Sequence, residues 1–414
     1  MINKEVIVRN RQAHLLAHYE LLNDDEKKQF AAQLETVDFD NLSRLYEQLV
    51  NGAGDVATMS QIEPIEPVLP SSEMRLRQIA LGEAALRDGR VAVLLLAGGQ
   101  GSRLGHDGPK GTFDIGVAAG RSLFELHANN LNALARRTGV HLPWLIMTSA
   151  INHKATVEFF KRHNYFNYPP SSVTFFEQGS IEAVDFDGRV IIEDRARISR
   201  SPDGNGGCFK ALKNSGLVDE LIDGGYQWLF IFNVDNAIVD IADPAFVGFA
   251  IESDLPCAIK VVAKTAPEEK VGVPCMVDDK PTIVEYSELS DEMLHEVDAA
   301  GKLRYRGGNI GNYCLRLDAL KSYLDKPLNY HLATKKIPYL DGAGRQVKPT
   351  APNGYKFELF IFDIFPAFAG MSVLEVAREM AFAPVKNATG EDSPLTAKAL
   401  FENKYALKKD DDCE

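Results

Sequence analysis

The residues best suited to chemistry stand at the ends of apolar runs. Leu96 to Gly105 reads LAGGQGSRLG. Its Gly98, Gly99 and Gly101 can bring backbone close to a ligand, and successive N–H groups in such a loop can form a nest for an anion. Arg103 adds a permanently charged fork that matches phosphate oxygens, and Lys110, in Pro109-Lys110-Gly111, adds a second cation. Farther along, Asn233-Val234-Asp235-Asn236 sets a carboxylate at the end of a hydrophobic run, where it could hold Mg²⁺, a hard ion that shares its oxygen ligands with substrate phosphates. Asp203-Gly204-Asn205-Gly206-Gly207 is a second glycine-dense stretch, readable either as a ligand-hugging loop or as a surface turn. The chemistry these groups suggest is the handling of a phosphorylated small molecule.

The order of the residues narrows the reading. A P-loop needs GxxxxGK[ST], whereas here the lysine lies between a proline and a glycine. A dinucleotide loop needs GxGxxG, and Gly99 to Gly105 is one residue too long. No HExxH pattern occurs. His127 and His153 fall on helical segments and are expected to be partly exposed structural residues.

The elements that must position these groups alternate. Val91 to Ala97 is a continuous apolar run, as in a strand buried on both faces of a parallel sheet. Further strands are expected at Trp144–Thr148, Val173–Phe176, Trp228–Phe232 and Ala258–Val262, with a two-residue hairpin turn at Asp187-Gly188. Helical spacing recurs at Leu15, Leu16, Tyr19 and Leu22 and again at Leu42, Leu45, Tyr46 and Leu49, with Gly52 as the stop. Pro64, Pro67 and Pro70 mark a linker, and a helix is expected from Glu73 to Arg87, ending at Gly89. The fold expected is α/β: a doubly wound, mostly parallel, Rossmann-like sheet with an N-terminal helical segment. Ligands bind beyond the carboxyl ends of such strands. The expected division is residues 1–72 as helical segment and Pro-rich linker and 73–414 as the catalytic domain. The bland role for the N-terminal helices is to cap the sheet.

Bulk properties exclude several classes. The 414 residues carry a formal charge of −13 with no long Lys/Arg run, which disfavours nucleic acid and anionic membranes as partners. No apolar run is long enough for a membrane span and no secretory leader is evident, so a cytoplasmic location is expected. Cys208, Cys257, Cys275, Cys314 and Cys413 are scattered and form no CxxC pair, which reads as reduced, buried thiols.

LAGGQGSRLG followed by PKG resembles the signature of the UDP-sugar pyrophosphorylases, nearest the eukaryote-type UDP-N-acetylglucosamine pyrophosphorylase branch. The resemblance continues in order through FEQGSIEAVDFDGRVI, SPDGNGGCFKAL, FNVDNAIVDIADPAFVGF, VEYSEL, GGNIGNY, KKIPYLD, PNGYKFELFIFDIF and FAPVKNATG. It implies a nucleotide-diphospho-sugar transferase sheet and a uridylyltransferase that joins UTP to a sugar 1-phosphate, releasing UDP-sugar and pyrophosphate, with Mg²⁺, or Mn²⁺ in its place. By resemblance Leu96, Ala97, Gly98, Gly99, Gln178 and Gly204 hold the uridine. Asn205, Glu285, Tyr286 and Asn309 contact the sugar. Arg103, Lys110 and Lys386 are catalytic, Lys356 binds phosphate, and Asp235 binds metal and nucleotide. Asp363, in FIFDIF, has two readings, a structural or helix-start acid and a second metal carboxylate. Ser102 stands where the family often has threonine, and the family's usual C-terminal domain is expected to be missing.

The implied reaction is in-line attack of the sugar phosphate on the α-phosphorus, which needs positioning and charge neutralisation rather than a nucleophilic triad. UDP-N-acetylglucosamine is the favoured product, with UDP-glucose or UDP-galactose as alternatives, because admitting an acetamido group depends on pocket shape. Two further readings are an NAD-dependent dehydrogenase with Glu125 on the ribose, which leaves Lys110 without a role, and a catalytically silent nucleotide-sugar binder, which predicts loss of Arg103, Lys110 or Asp235, all of them present.

Overall fold

The computed structural model describes residues 2–51, 61–117, 120–326 and 329–411. These form two compact units. The larger draws on residues within 59–178, 208–327 and 362–414, and the smaller on residues within 1–58, 179–207 and 328–361.

The larger unit is built on a seven-stranded sheet of β1 (Val91–Leu96), β2 (Trp144–Thr148), β3 (Val173–Glu177), β4 (Trp228–Asn233), β5 (Cys257–Ala263), β6 (Gly307–Arg316) and β7 (Met371–Glu375), in the order β7-β5-β6-β4-β1-β2-β3. All neighbouring pairs are parallel except those made by β6, which runs against both β4 and β5. The expected strands are all present, and every residue of β1 is buried, as its unbroken apolar run requires. The helices Ser72–Arg87, Leu123–Thr138, His153–Arg162 and Pro244–Ser253 belong to this unit. Their apolar residues, among them Leu86, Phe124, Phe160 and Phe246, join one core with Val93, Trp144 and Phe230 of the sheet. The Ser72–Arg87 helix starts on a Ser71 cap whose hydroxyl accepts from Met74 N–H, close to the expected bounds. No helix among the described residues is long and apolar enough to cross a membrane.

In the smaller unit the helices Lys4–Arg9, Ala13–Glu20, Asp24–Leu34 and Phe39–Tyr46 bury Leu15, Leu22, Leu42 and Leu45. Within this unit they pack on the far-off Ile181, Val184, Val190, Ile198 and Phe357. The N-terminal helices therefore share a unit with chain from well beyond residue 72. The expected stop at Gly52 lies outside the described residues. A three-stranded antiparallel sheet runs Tyr330–Lys335, Gly354–Leu359, Val184–Asp185. The hairpin after it differs from the two-residue turn expected. Asp185 N–H bonds Arg189 O, so Phe186, Asp187 and Gly188 form a three-residue loop with Gly188 at φ +78. The cause is the Asp185 carboxylate, which accepts from the N–H of both Asp187 and Arg189 and winds the chain one residue further.

Gln12 ties helix to hairpin. It is 3 % exposed, donates to Gly188 O at 2.9 Å and accepts from Val190 N–H at 2.8 Å. Gln12→Ala leaves both backbone groups unpaired and is expected to cost about 2–3 kcal/mol in chemical denaturation. Leu21→Ala, at a position 77 % exposed, should stay within about 0.5 kcal/mol of the parent. A near-zero cost for Gln12→Ala would show that the pair of bonds does not anchor the helices.

Candidate active site

The glycine-rich loop leaves β1 and is held from behind by two buried side chains that sequence reasoning passed over. Asn152 and Ser149 stand just after β2 and are 0 % and 1 % exposed. The Asn152 amide donates to Ala97 O at 2.9 Å and to Gly99 O at 3.2 Å, and the Ser149 hydroxyl donates to Gly98 O at 2.8 Å. The amide's own oxygen accepts from Ser149 N–H at 2.8 Å, which fixes its orientation. Because each peptide is planar and trans, a carbonyl turned toward this clamp turns the next N–H the opposite way. The N–H groups of Gly98, Gly99 and Gln100 accordingly face away from the clamp, and none donates to a partner among the described residues. They form the row of donors that an anion or a carbonyl-bearing ring can use. Leu96 and Ala97, the first residues of the expected uridine contact, are buried at the strand end.

Gln178, 8 % exposed, lies beside this row. A Cβ on Gly98 would fall 2.2 Å from its Oε1, so only glycine lets the glutamine amide reach the loop. Lys110 N–H bonds Gly99 O, folding the Pro109-Lys110 segment back over the loop. The Lys110 ammonium pairs with the Asp235 carboxylate at 3.1 Å, both mostly covered. Arg103 is exposed, and no hydrogen bond or ion pair engages it among the described residues.

Asp235 sits just past β4, and its loop is fastened on three sides. His127 Nε2 donates to Val234 O at 3.0 Å. The Asn236 amide bonds Ala381 O and accepts from Ala383 N–H. Val385 N–H donates to Asp235 O at 2.9 Å. This last bond brings Lys386, the next residue, to the same strand end, where its ammonium pairs with Asp392 at 3.3 Å and lies over the Phe382 ring. His127 is 1 % exposed rather than partly exposed, and burial holds its pKa down to about 4, which keeps it neutral as a buried donor. His153 is partly exposed and bonds the Thr148 hydroxyl.

On the other side of β4, Asn309 of β6 donates to the Tyr313 hydroxyl at 2.9 Å and accepts from Gly311 N–H at 3.0 Å. Glu285 and Tyr286 follow the strand Lys280–Val284 at a turn closed by Glu288 N–H on Glu285 O. Asp363 lies in the first turn of a 3₁₀ segment, Ile361–Ala367, and its backbone carbonyl accepts from the Tyr323 hydroxyl.

Three predicted site residues belong to the smaller unit. Gly204, at φ +92, presses on the backbone of Leu359, and Leu359 N–H bonds Asp203 O. The need for glycine there is met by the chain's own strand, whatever else the loop touches. Asn205 accepts from Ile361 N–H at 3.0 Å. Lys356, on Gly354–Leu359, is half-buried, and burial lowers its pKa below that of an exposed lysine.

A resident metal would need donors. No group of three or more His, Cys, Asp or Glu is gathered to hold one among the described residues. A single carboxylate at a strand end, compensated by a lysine, instead fits Mg²⁺ of the kind completed by substrate phosphates and water.

Donors without partners, flanking cations and one carboxylate at the carboxyl ends of parallel strands suit transfer of a nucleotidyl group between phosphates, and the chain is a nucleotidyltransferase. Residues 39–408 match the family described as UTP–glucose-1-phosphate uridylyltransferase, and the chain belongs to that family. It is 36 % identical to the UDP-N-acetylglucosamine pyrophosphorylase of Saccharomyces cerevisiae, over 96 % of this chain and 88 % of that protein. It is 37 % identical to UDP-N-acetylhexosamine pyrophosphorylase-like protein 1 of Mus musculus, over 95 % and 82 %. Among solved structures, the uridine diphosphate N-acetylglucosamine pyrophosphorylase of Trypanosoma brucei superposes with a TM-score of 0.82 at 29 % identity, covering 96 % of this chain and 83 % of that one. A UDP-glucose pyrophosphorylase of Leishmania major, 19 % identical, shares the fold at a TM-score of 0.65 over 92 % and 79 %.

Asn152→Ala removes the donor from two loop carbonyls and the acceptor from Ser149 N–H. It is expected to destabilise the chain by about 2–3 kcal/mol and to speed hydrogen exchange at the Lys110 amide, measured by mass spectrometry. Unchanged exchange there would contradict the clamp.

Proposed function

We propose that this uridylyltransferase makes UDP-N-acetylglucosamine and pyrophosphate from UTP and N-acetylglucosamine 1-phosphate. The observation that carries the reading is the row of free N–H donors on Gly98, Gly99 and Gln100, with Gln178 against it and the Lys110–Asp235 pair beside it. Uracil offers two carbonyls and one N–H, and a glutamine amide with backbone donors can satisfy all three. The names of the yeast and trypanosomal relatives support the acetylated sugar. The buried thiols Cys257, Cys275 and Cys314, which form no disulfide among the described residues, support a reducing, cytoplasmic setting. Cys413 lies outside the described residues.

In this mechanism an oxygen of the sugar phosphate forms a bond to the α-phosphorus of UTP while the bond to the bridging oxygen breaks, and pyrophosphate leaves with the electron pair. Arg103 and Lys110 neutralise the departing pyrophosphate. Lys386 and Lys356 hold the sugar phosphate and α-phosphate, Leu96, Ala97, Gly98, Gly99, Gln178 and Gly204 take the base, and Asn205, Glu285, Tyr286 and Asn309 take the sugar. Asp235 would hold Mg²⁺, which would supply neutralisation of phosphate charge. Asp363 is a candidate second carboxylate for it. Lys110 exchanges its bond to Asp235 for phosphate oxygens as the nucleotide enters.

The test is pyrophosphate release from UTP and Mg²⁺ with N-acetylglucosamine, N-acetylgalactosamine, glucose or galactose 1-phosphate. The highest kcat/KM is expected with N-acetylglucosamine 1-phosphate. A preference for glucose or galactose 1-phosphate would overturn the sugar, and silence with all four would overturn the reaction. Arg103→Ala and Lys110→Ala should each lower kcat by about a hundredfold or more. Burial lowers the Lys356 pKa, so its charge is lost sooner than an ordinary lysine's as pH rises. kcat/KM is therefore expected to fall on the alkaline side, and Lys356→Arg, which stays charged, should move that fall to higher pH. An alkaline limb that does not move would remove Lys356 from phosphate binding.

A further inference from the structure

We propose that His106 is a positioning residue for the reaction, one whose imidazole sets the spacing of the two cations, Arg103 and Lys110, that receive the pyrophosphate. The cations ride on separate 3₁₀ turns, Ser102–Leu104 and Lys110–Thr112. A single turn this short makes too few hydrogen bonds to hold its own shape. His106 lies between the two turns in the chain and touches both.

Toward the Arg103 turn the contact is steric. Gly101 is the residue from which that turn starts, and a Cβ on it would fall 2.8 Å from His106 Cδ2 and 2.9 Å from His106 Cβ. Only glycine therefore lets the imidazole lie against the loop backbone. His106 N–H donates to Gly101 O at 3.2 Å and Gly101 N–H donates to Gly108 O at 2.9 Å, which closes the loop. The ring stands edge-on to Phe113, with 5.6 Å between centroids.

Toward the Lys110 turn the contact is a relay of hydrogen bonds. His106 Nε2 lies 2.7 Å from the Thr112 hydroxyl, and that hydroxyl donates to Pro109 O at 2.8 Å. A hydroxyl has one hydrogen to give. With it directed at Pro109 O, the imidazole carries a hydrogen on Nε2 and donates to Thr112. Pro109 O also accepts from Thr112 N–H at 3.0 Å, and across the same peptide Lys110 N–H donates to Gly99 O at 3.1 Å. The peptide that carries Lys110 is thus held on both sides, and His106 begins the chain of bonds that orients its carbonyl. With Gly101 against one part of the ring and Thr112 bonded to another, the imidazole fixes how far the Arg103 turn stands from the Lys110 turn. Charge neutralisation of a phosphate group rewards cations held at a set separation before the ligand arrives. This inference rests on the assignment of Arg103 and Lys110 to pyrophosphate.

Steady-state kinetics of the full chain in the reverse direction, with UDP-N-acetylglucosamine, pyrophosphate and Mg²⁺, test it. His106→Ala is expected to raise KM for pyrophosphate about tenfold and to leave KM for UDP-N-acetylglucosamine unchanged. Thr112→Val keeps the shape and cuts the relay, so it should give a similar rise. The double variant should lose no more than the larger single one, because both changes break one chain of bonds. His106→Gln, whose amide N–H can replace Nε2–H, should recover most of the loss. It and Thr112→Val serve if the alanine variant does not fold. An unchanged pyrophosphate KM, equal shifts for both substrates, or additive losses in the double variant would overturn the positioning role. Lys110→Ala, measured alongside, separates the two levels. A raised pyrophosphate KM there with none in His106→Ala overturns this inference alone, whereas no rise in Lys110→Ala overturns the pyrophosphate assignment and this inference with it.

Discussion

Asn152 and Ser149 pull three consecutive carbonyls, those of Ala97, Gly98 and Gly99, toward the body of the larger unit. Everything proposed for the nucleotide depends on this pull, because trans peptide geometry converts it into three outward N–H groups. Loops of this kind are often explained by glycine alone. Here glycine permits the path, and two polar side chains on a neighbouring strand end impose it. Both are buried and bonded on all sides, so the donors are preorganised before a ligand arrives.

Charge is arranged with the same economy. Asp235 would be costly at a covered strand end without a counter-ion, and Lys110 supplies one at 3.1 Å. In the proposed mechanism the same lysine would pass to phosphate when the nucleotide brings its own negative charge. The Asp235 loop itself is fixed by neutral groups, His127, Asn236 and Val385 N–H, which place the carboxylate without altering its charge balance.

The strands were legible because β1, β2, β4 and β5 are almost wholly buried apolar runs. The glycine-rich loop and its cations were legible because they are contiguous. The clamp was not, since Asn152 lies more than fifty residues from the carbonyls it holds and nothing local in TSAINH distinguishes a ligand of backbone from a helix start. Hairpin length turned on one carboxylate, Asp185, winding its own turn. The partners of the N-terminal helices, Ile181 to Ile198 and Phe357, were hidden because periodicity tells which face is buried but not against what. Gly204 carried a packing constraint from Leu359 that a motif cannot display.

The central claim is that positioned donors and cations transfer the uridylyl group in a single displacement, with no covalent enzyme intermediate. The stereochemical course at the α-phosphorus tests it most directly, using one diastereomer of UTP carrying sulfur at that phosphorus and assigning the UDP-sugar product by ³¹P NMR. Inversion of configuration is the predicted result. Retention would require two displacements through an enzyme-bound uridylyl group and would contradict the account.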